Sequence, residues 1–254
     1  MQPAPQTPYM KTSRFALTFV FAVCACVMSI AQLSPFAQRR DSSTTGQLSW
    51  IARSNGNAQV LLKVRAKYGP EEAARNGMAG LDEQVTVLAS DRLARIKADT
   101  QSAVRELQRR LTAERDPLVA QDLQILIKAA QDTLRGQELN EKYETPYFNV
   151  PQMIFAGIRG LLDDQVPTGR QKAALIRLRK YAGIERGYEP LTEQAQARTR
   201  AGSGPGRFGP ARVEVETDVA RAGFFVNGIA DLFAHSHIDG YQEPLAALKK
   251  QIAD

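Results

Sequence analysis

Apolar residues recur along most of the chain at the three- and four-residue spacing of amphipathic helices. The clearest stripes run from Val85 to Leu111, from Leu118 to Leu134, from Ile154 to Leu162 and from Val215 to Phe233. No extended stretch alternates apolar and polar residues as a half-buried strand does. The pattern therefore predicts an all-α protein of antiparallel helical hairpins or a bundle.

Several helix ends carry recognisable signals. Asn149 followed by Gln152, and Thr168 followed by Gln171, have the spacing of a capping box, in which two side chains satisfy backbone N–H groups at a helix start. Gly183 follows an apolar stripe and is suited to a left-handed helix end. We therefore expect helices to begin at both boxes and one of them to end at the glycine.

The connections between stripes are short or rich in turn-forming residues. Asp116 before Pro117 predicts a capped helix start, and the helix it begins should fold back on the preceding one as a hairpin. Residues 75–82 are interpreted as a turn-rich connection. The glycine-rich segment 202–210 is interpreted as a flexible connection and not as a phosphate loop, because no Lys-Ser/Thr follows it and no strand precedes it.

Residues 1–37 have the features of a secretory signal peptide. Lys11 and Arg14 form a basic start, a long uncharged apolar run follows, and small residues permit cleavage after Ala31 or after Ala37. We therefore expect an exported protein, periplasmic or extracellular.

A single N-terminal membrane anchor is the alternative to cleavage. The apolar run from Phe15 to Ile30 has about 16 residues, fewer than the roughly 20 that span a bilayer, so the signal-peptide interpretation is preferred. Both cysteines, Cys24 and Cys26, lie inside this run. Residues 38–49 are then predicted to be a flexible entry segment, and residues 50–254 a helical domain.

Composition and charge exclude few classes of protein. Of the 254 residues, 43% are hydrophobic and 24% are charged, which is ordinary for a globular protein long enough to bury a core. Removal of Lys11 and Arg14 with the signal would lower the net charge of +6 by two. Arg109 and Arg110 are interpreted as part of a solvated helix face. We therefore predict no nucleic-acid partner, and no membrane contact after cleavage.

Three groups of residues could carry chemistry. Tyr143, Tyr147 and Phe148 cluster around Pro146, either as a rigid corner packed between helices or as a wall of a substrate cleft. Asp163 and Asp164 are interpreted as the polar end of a helix, and His235 and His237 as surface histidines near a helix C-terminus. Neither pair has further ligands at suitable spacing, so no catalytic, cofactor-binding or metal-binding residue is predicted in this chain.

A series of short motifs runs through the chain from about Trp50 to Asp254. They are Gly77–Glu83, Asp116–Val119, Asn140–Tyr143, Pro146–Asn149, Leu161–Val166, Arg177–Gly183, Pro190–Glu193 and Gly240–Pro244. In order and spacing these motifs resemble the N-terminal half of the bacterial domain of unknown function 885 family. Members of that family are predominantly helical and look like zinc metallopeptidases, because a His-Glu-x-x-His helix lies in their C-terminal half.

The resemblance implies zinc for the full-length family but no cofactor in this chain, since neither histidine belongs to such a motif. It also implies that the missing C-terminal half is a partner, and the aromatic corner makes a peptide a second candidate ligand. Three functional hypotheses follow. The chain is the non-catalytic half of an exported metallopeptidase-like protein and inactive alone, or a periplasmic helical module that binds peptides or a protein, or a truncated remnant without function that exposes a large apolar patch.

Overall fold

The computed structural model describes residues 44–253, and this part of the chain contains helices and no β-strand. The helices are α1 (Thr44–Tyr68), α2 (Pro70–Arg75), α3 (Arg92–Ala113), α4 (Pro117–Tyr143), α5 (Val150–Arg159), α6 (Thr168–Gln171), α7 (Ala173–Tyr181), α8 (Leu191–Gly202), α9 (Arg212–His235) and α10 (Gln242–Ala253). The all-α prediction is confirmed. The predicted signal peptide, residues 1–37, lies outside the described residues, whereas residues 44–49 of the predicted entry segment belong to α1.

Helices α1, α3 and α4 pack around a small apolar core and are called here the three-helix unit. Its buried core residues are Val104, Leu107, Val119, Leu123, Ile127 and Ala130. Helices α3 and α4 form the predicted antiparallel hairpin. Lys97 and Glu138 form an ion pair of 2.7 Å near its open end, and the Asp116 carboxylate accepts a hydrogen bond from the Leu118 N–H at the connection.

The remaining large helices form a second region, called here the body, around a larger core. That core includes Ile154, Ile158, Leu161, Leu162, Leu178, Leu191, Ile229, Phe233 and Leu248, contributed by α5, α7, α8, α9, α10 and the turn after α5. Phe233 of α9 stacks on Tyr241 with ring centroids 5.1 Å apart. The long C-terminal helices are therefore held by one continuous apolar cluster. None of the helices described here is both long enough and apolar enough to cross a membrane.

Val85 and Leu88 are buried, but the prediction that their apolar stripe begins a helix is wrong. Residues 84–89 are not helical, and α3 begins only at Arg92. The backbone N–H of Leu88 donates to the Gln194 side chain at 2.7 Å. Such side-chain acceptors replace the carbonyl oxygens that a helix would supply, so this segment can be buried in a non-helical conformation.

A buried polar network ties this segment to the body. Tyr181 donates a hydrogen bond of 2.7 Å to the Glu71 carboxylate, which also accepts bonds from the backbone and hydroxyl of Thr86. Arg177, only 1% exposed, donates to the carbonyl oxygens of Gly157 and Leu81. Burial raises the pKa of Tyr181 well above its usual value and lowers that of Arg177. Tyr181 therefore acts as a neutral donor to Glu71.

The helix-end predictions have mixed outcomes. The Asn149 side chain accepts the N–H of Gln152 at 3.1 Å and begins α5, as predicted. The prediction that Thr168 caps a helix is wrong, because α6 begins directly after Pro167 and places Thr168 inside the first turn, without a cap hydrogen bond. Gly183 adopts φ +70° and ends α7 as predicted. The N–H groups of Gly183 and Ile184 donate to the Lys180 and Arg179 carbonyls in a Schellman motif.

Candidate functional site

The aromatic corner lies at the end of the long helix α4. That helix ends at Tyr143, and the chain then runs without regular structure until Asn149 caps α5. Pro146, Tyr147 and Phe148 occupy this short stretch and are all half-buried. The corner is thus fixed by a helix end on one side and a helix cap on the other, which makes it a rigid wall.

The glycine-rich segment before α9 forms the opposite wall. Glu144 and Phe208 form an isolated parallel β-bridge, in which the Phe208 N–H donates to Tyr143 at 2.7 Å and its carbonyl accepts from Thr145 at 2.8 Å. Arg207 donates to the carbonyl of Gly202 at 2.9 Å. Segment 202–210 runs from the end of α8 towards α9 as a connection, and backbone hydrogen bonds join it to the corner. Its flexibility stays a prediction.

Close contact between the walls requires a residue without a side chain at Gly202. A Cβ atom placed there would lie 2.3 Å from the Cδ atom of Pro146 and 2.6 Å from its Cγ atom. Glycine at this position therefore allows the last turn of α8 to touch the corner.

A groove of about 670 Å³ lies between the two walls and is called here the corner groove. Tyr147, Phe148 and Phe208 supply its aromatic surface. Phe208 is 73% exposed, so a ligand in the groove can reach most of its side chain. The polar lining residues include Asn140, Glu141, Glu144, Arg198, Arg207 and Glu214.

The Tyr147 hydroxyl at the groove is held in one orientation. It donates a hydrogen bond of 3.0 Å to Asp218 of α9. Burial, together with this carboxylate, raises the pKa of Tyr147 to about 12. The ring therefore stays neutral throughout the physiological pH range, and its edge is available to a ligand as a fixed apolar and polar surface.

The charges around the groove are unbalanced. The guanidinium groups of Arg198 and Arg207 donate hydrogen bonds to backbone carbonyls. Arg198 donates to the Ser90 carbonyl at 2.8 Å. Within the described part of the chain, Glu141 and Glu144 form no ion pair within 4.0 Å. The groove lining carries three carboxylates, those of Glu141, Glu144 and Glu214, and two guanidinium groups that keep their positive charge while they donate to carbonyls. This excess of one negative charge beside aromatic rings favours a ligand with both cationic and apolar groups.

The other sequence candidates do not assemble into a site. His235 Nε2 lies 3.2 Å from the Asp164 carboxylate, and both side chains are exposed. Among residues 44–253, no group of three or more His, Cys, Asp or Glu side chains is placed to hold a metal ion. Arg109 and Arg110 both pair with Glu106 on the surface of α3.

Sequence reasoning identified one wall of the corner groove and missed the other. Tyr147 and Phe148 belong to the predicted aromatic corner, but Phe208, Asp218 and Glu214 were not singled out. Phe208 is the one aromatic residue in the glycine-rich segment, and an apolar residue in such a polar setting was the signal available. Its pairing with Tyr143 could not be inferred, because contacts so distant in sequence leave no local pattern.

Comparison with known proteins identifies no relative. No family model matches the chain, and neither a curated protein nor a solved structure matches it. The similarity of the short motifs to the domain of unknown function 885 family therefore remains a prediction.

Proposed function

We propose that this chain is a helical peptide-binding module and that the corner groove holds an extended peptide segment. The observation that carries the proposal is the exposed side chain of Phe208, whose backbone is held by two hydrogen bonds at the edge of a groove with free carboxylates. A rigid aromatic side chain loses little conformational entropy when a ligand covers it. Such residues commonly dominate the binding energy of an interface.

The proposed ligand carries an apolar side chain next to a positive charge. The apolar group packs against Phe208 and Phe148, and Lys, Arg or an N-terminal ammonium group pairs with Glu141 or Glu144. The groove volume of about 670 Å³ lies within the usual range of roughly 300–1,000 Å³ for ligand pockets. A few residues of a peptide therefore suffice to fill it.

The second candidate function is that of the non-catalytic N-terminal half of an exported, metallopeptidase-like protein. One observation favours it: the motifs Asn140–Tyr143 and Pro146–Asn149, which carry much of the family resemblance, flank and form one wall of the groove. In this role the groove would hold a peptide while another part of the protein cleaves it. Purified residues 38–254 should then show no peptide hydrolysis, and cleavage with stoichiometric zinc would contradict this candidate.

Fluorescence anisotropy with labelled ten-residue peptides tests the binding function. Two peptides of equal apolar content are compared, one with lysines and one with glutamates at the same positions. The lysine peptide should bind more tightly, and Phe208→Ser should weaken its binding about tenfold, because an aromatic anchor contributes roughly 1–2 kcal/mol.

The matched control is Phe224→Ser, since Phe224 is 69% exposed but does not line the groove. This variant should bind the lysine peptide as the unmodified protein does. Equal losses in the two variants, or no binding of either peptide, would refute the proposal.

A further inference from the structure

The N-terminal part of α9, up to Phe224, exposes large apolar side chains. Val213, Val219 and Phe224 are 69%, 70% and 69% exposed, whereas Val226, Ile229 and Phe233 in the second half are buried in the core of the body. Phe224 touches Phe155 and Phe225 on one side and leaves the rest of its ring uncovered. Val213 and Phe224 lie on one side of this helix, and exposed apolar side chains that share a face are typical of protein interfaces.

The side chains on the exposed face of α9 have a self-complementary order of sizes. Val213, Thr217, Ala220 and Phe224 recur at spacings of four, three and four residues, so they lie on one face of α9. The order of sizes is large, small, small, large from either end. When two such helices run antiparallel, Val213 of each lies opposite Phe224 of the other, and Thr217 lies opposite Ala220.

Burying this face leaves no unpaired hydroxyl. Thr217 is the only polar residue of the four, and its Oγ1 atom already donates to the Val213 carbonyl at 2.7 Å within the helix. A buried hydroxyl with a partner avoids the desolvation cost of an unsatisfied donor. The small side chains of Thr217 and Ala220 also allow close approach of two helices.

The charges beside the face are complementary in the same antiparallel arrangement. Glu214 and Arg221 lie seven residues apart on one flank of α9, on opposite sides of the midpoint of the face. Neither forms an ion pair within 4.0 Å among the described residues, whereas Arg212 and Glu216 pair with each other. A two-fold axis at the midpoint would bring each Glu214 close to Arg221 of the other helix.

We propose that a second copy of this chain is the occupant of the exposed α9 face. The two α9 helices pack antiparallel about a two-fold axis near Asp218 and Val219, as in an isologous dimer. Val213 contacts Phe224 of the partner subunit, and Glu214 forms an ion pair with Arg221 of the partner subunit. The interface goes beyond the peptide-binding function and rests on different residues of α9, apart from Glu214 at the groove margin.

Light scattering coupled to size-exclusion chromatography tests the dimer with the purified protein. The unmodified protein should have twice the mass of one chain. Phe224→Ser should shift it to the monomer, and Phe208→Ser, which changes an equally exposed ring outside the interface, should leave it dimeric. A monomeric unmodified protein, or polydisperse aggregates, would overturn the proposal.

Charge reversal distinguishes the proposed Glu214–Arg221 pairing from nonspecific hydrophobic association. Glu214→Arg alone and Arg221→Glu alone should each be monomeric, because the reversed side chain meets a like charge in the other copy. An equimolar mixture of the two variants should form a heterodimer, since every facing pair is again of opposite sign. Failure of the mixture to associate would refute the antiparallel register.

The two proposals can fail independently. Phe224→Ser should lose the dimer and keep the peptide, and Phe208→Ser should lose the peptide and keep the dimer. Circular dichroism at 222 nm verifies the fold of both variants. With the fold intact, loss of peptide binding by Phe224→Ser would refute the groove proposal, and loss of the dimer by Phe208→Ser would refute the interface proposal.

Discussion

The three-helix unit and the body are both helical, but different interactions define them. In the three-helix unit the ion pairs lie at the surface around a small apolar core, as Lys97 with Glu138 does. The body instead buries Arg177 and Gln194, which bind backbone groups of a non-helical segment, and Tyr181, which donates to the Glu71 carboxylate that binds the Thr86 N–H. Apolar patterning suffices where every backbone group is paired within a helix, whereas an irregular buried segment needs specific side-chain partners.

Leu107→Ala tests whether the two regions unfold separately. The Leu107 side chain is fully buried in the three-helix core, so its truncation should lower the free energy of unfolding of that unit by about 3 kcal/mol. Hydrogen exchange should become faster in α1, α3 and α4 and stay unchanged in α5, α7 and α9. Leu178→Ala in the core of the body should give the opposite pattern. Uniform acceleration in both variants would show one cooperative unit.

Gly157→Ala tests the polar network of the body. The added Cβ would lie 2.3 Å from the Tyr181 hydroxyl, so the ring must move and lose its hydrogen bond to Glu71. We expect a loss of about 2 kcal/mol in the free energy of unfolding, somewhat reduced by the better helix propensity of alanine. Tyr181→Phe removes the clashing oxygen, so the double variant should be more stable than the two single losses predict. Strict additivity in urea denaturation would contradict this.

Helix caps should act alike in both regions, because a cap acts locally. Asn149→Ala in the body and Asp116→Ala in the three-helix unit should each cost about 1 kcal/mol in thermal or urea denaturation. The loss for Asp116→Ala should be slightly larger, since Arg53 also pairs with that carboxylate at 2.8 Å. Thr168→Ala is the control and should be nearly neutral. A large effect of Thr168→Ala would contradict the observed start of α6.

The smallest expected effects concern two aspartates, one in each region, whose ion pairs stabilise the fold in a pH-dependent way. Hydrogen bonding to Arg170 lowers the pKa of Asp82 in the body, and hydrogen bonding to Lys67 and Tyr68 lowers the pKa of Asp99 in the three-helix unit. A lowered pKa in the folded state stabilises the protein above the usual aspartate value of 3.8 and loses this effect as the pH falls. The advantage of the unmodified protein over Asp82→Asn or Asp99→Asn should therefore vanish in acid.

Salt should separate the two aspartates at neutral pH. Asp99 and Lys67 are more exposed than Asp82 and Arg170, so 1 M salt should weaken the Asp99 pair more. Denaturation of both asparagine variants at low and high salt measures this difference. An equal response would mean that the two sites are equally solvated.

The sequence predicted the helices of the three-helix unit better than the architecture of the body. The stripe of α4 and the Asp116 cap are local signals, and both appear in the structure. Val85 and Leu88 carry the same apolar spacing, yet they are not helical, because Glu71 and Gln194 bind the backbone of their segment from distant positions. Periodicity records which residues are buried and does not record which partner satisfies the backbone.

The candidate site shows the same limit. The aromatic corner was predictable because Tyr147 and Phe148 cluster around Pro146 and precede a recognisable cap. The role of Phe208 was not, since a glycine-rich composition predicts flexibility and the two hydrogen bonds that fix it join residues more than sixty positions apart. Pairing across such a distance depends on the completed packing of α5–α8.

The β-bridge between Glu144 and Phe208 couples ligand binding in the groove to folding of the chain between these residues. Its walls are the two ends of one stretch of chain that contains α5 to α8, and closing this stretch into a loop costs conformational entropy during folding. A ligand that contacts both walls binds only the closed form. It therefore shifts the folding equilibrium by mass action. Because Asn140 and Glu141 of α4 also line the groove, ligand occupancy would be recorded as protection of α5–α8 and of the end of α4 from unfolding.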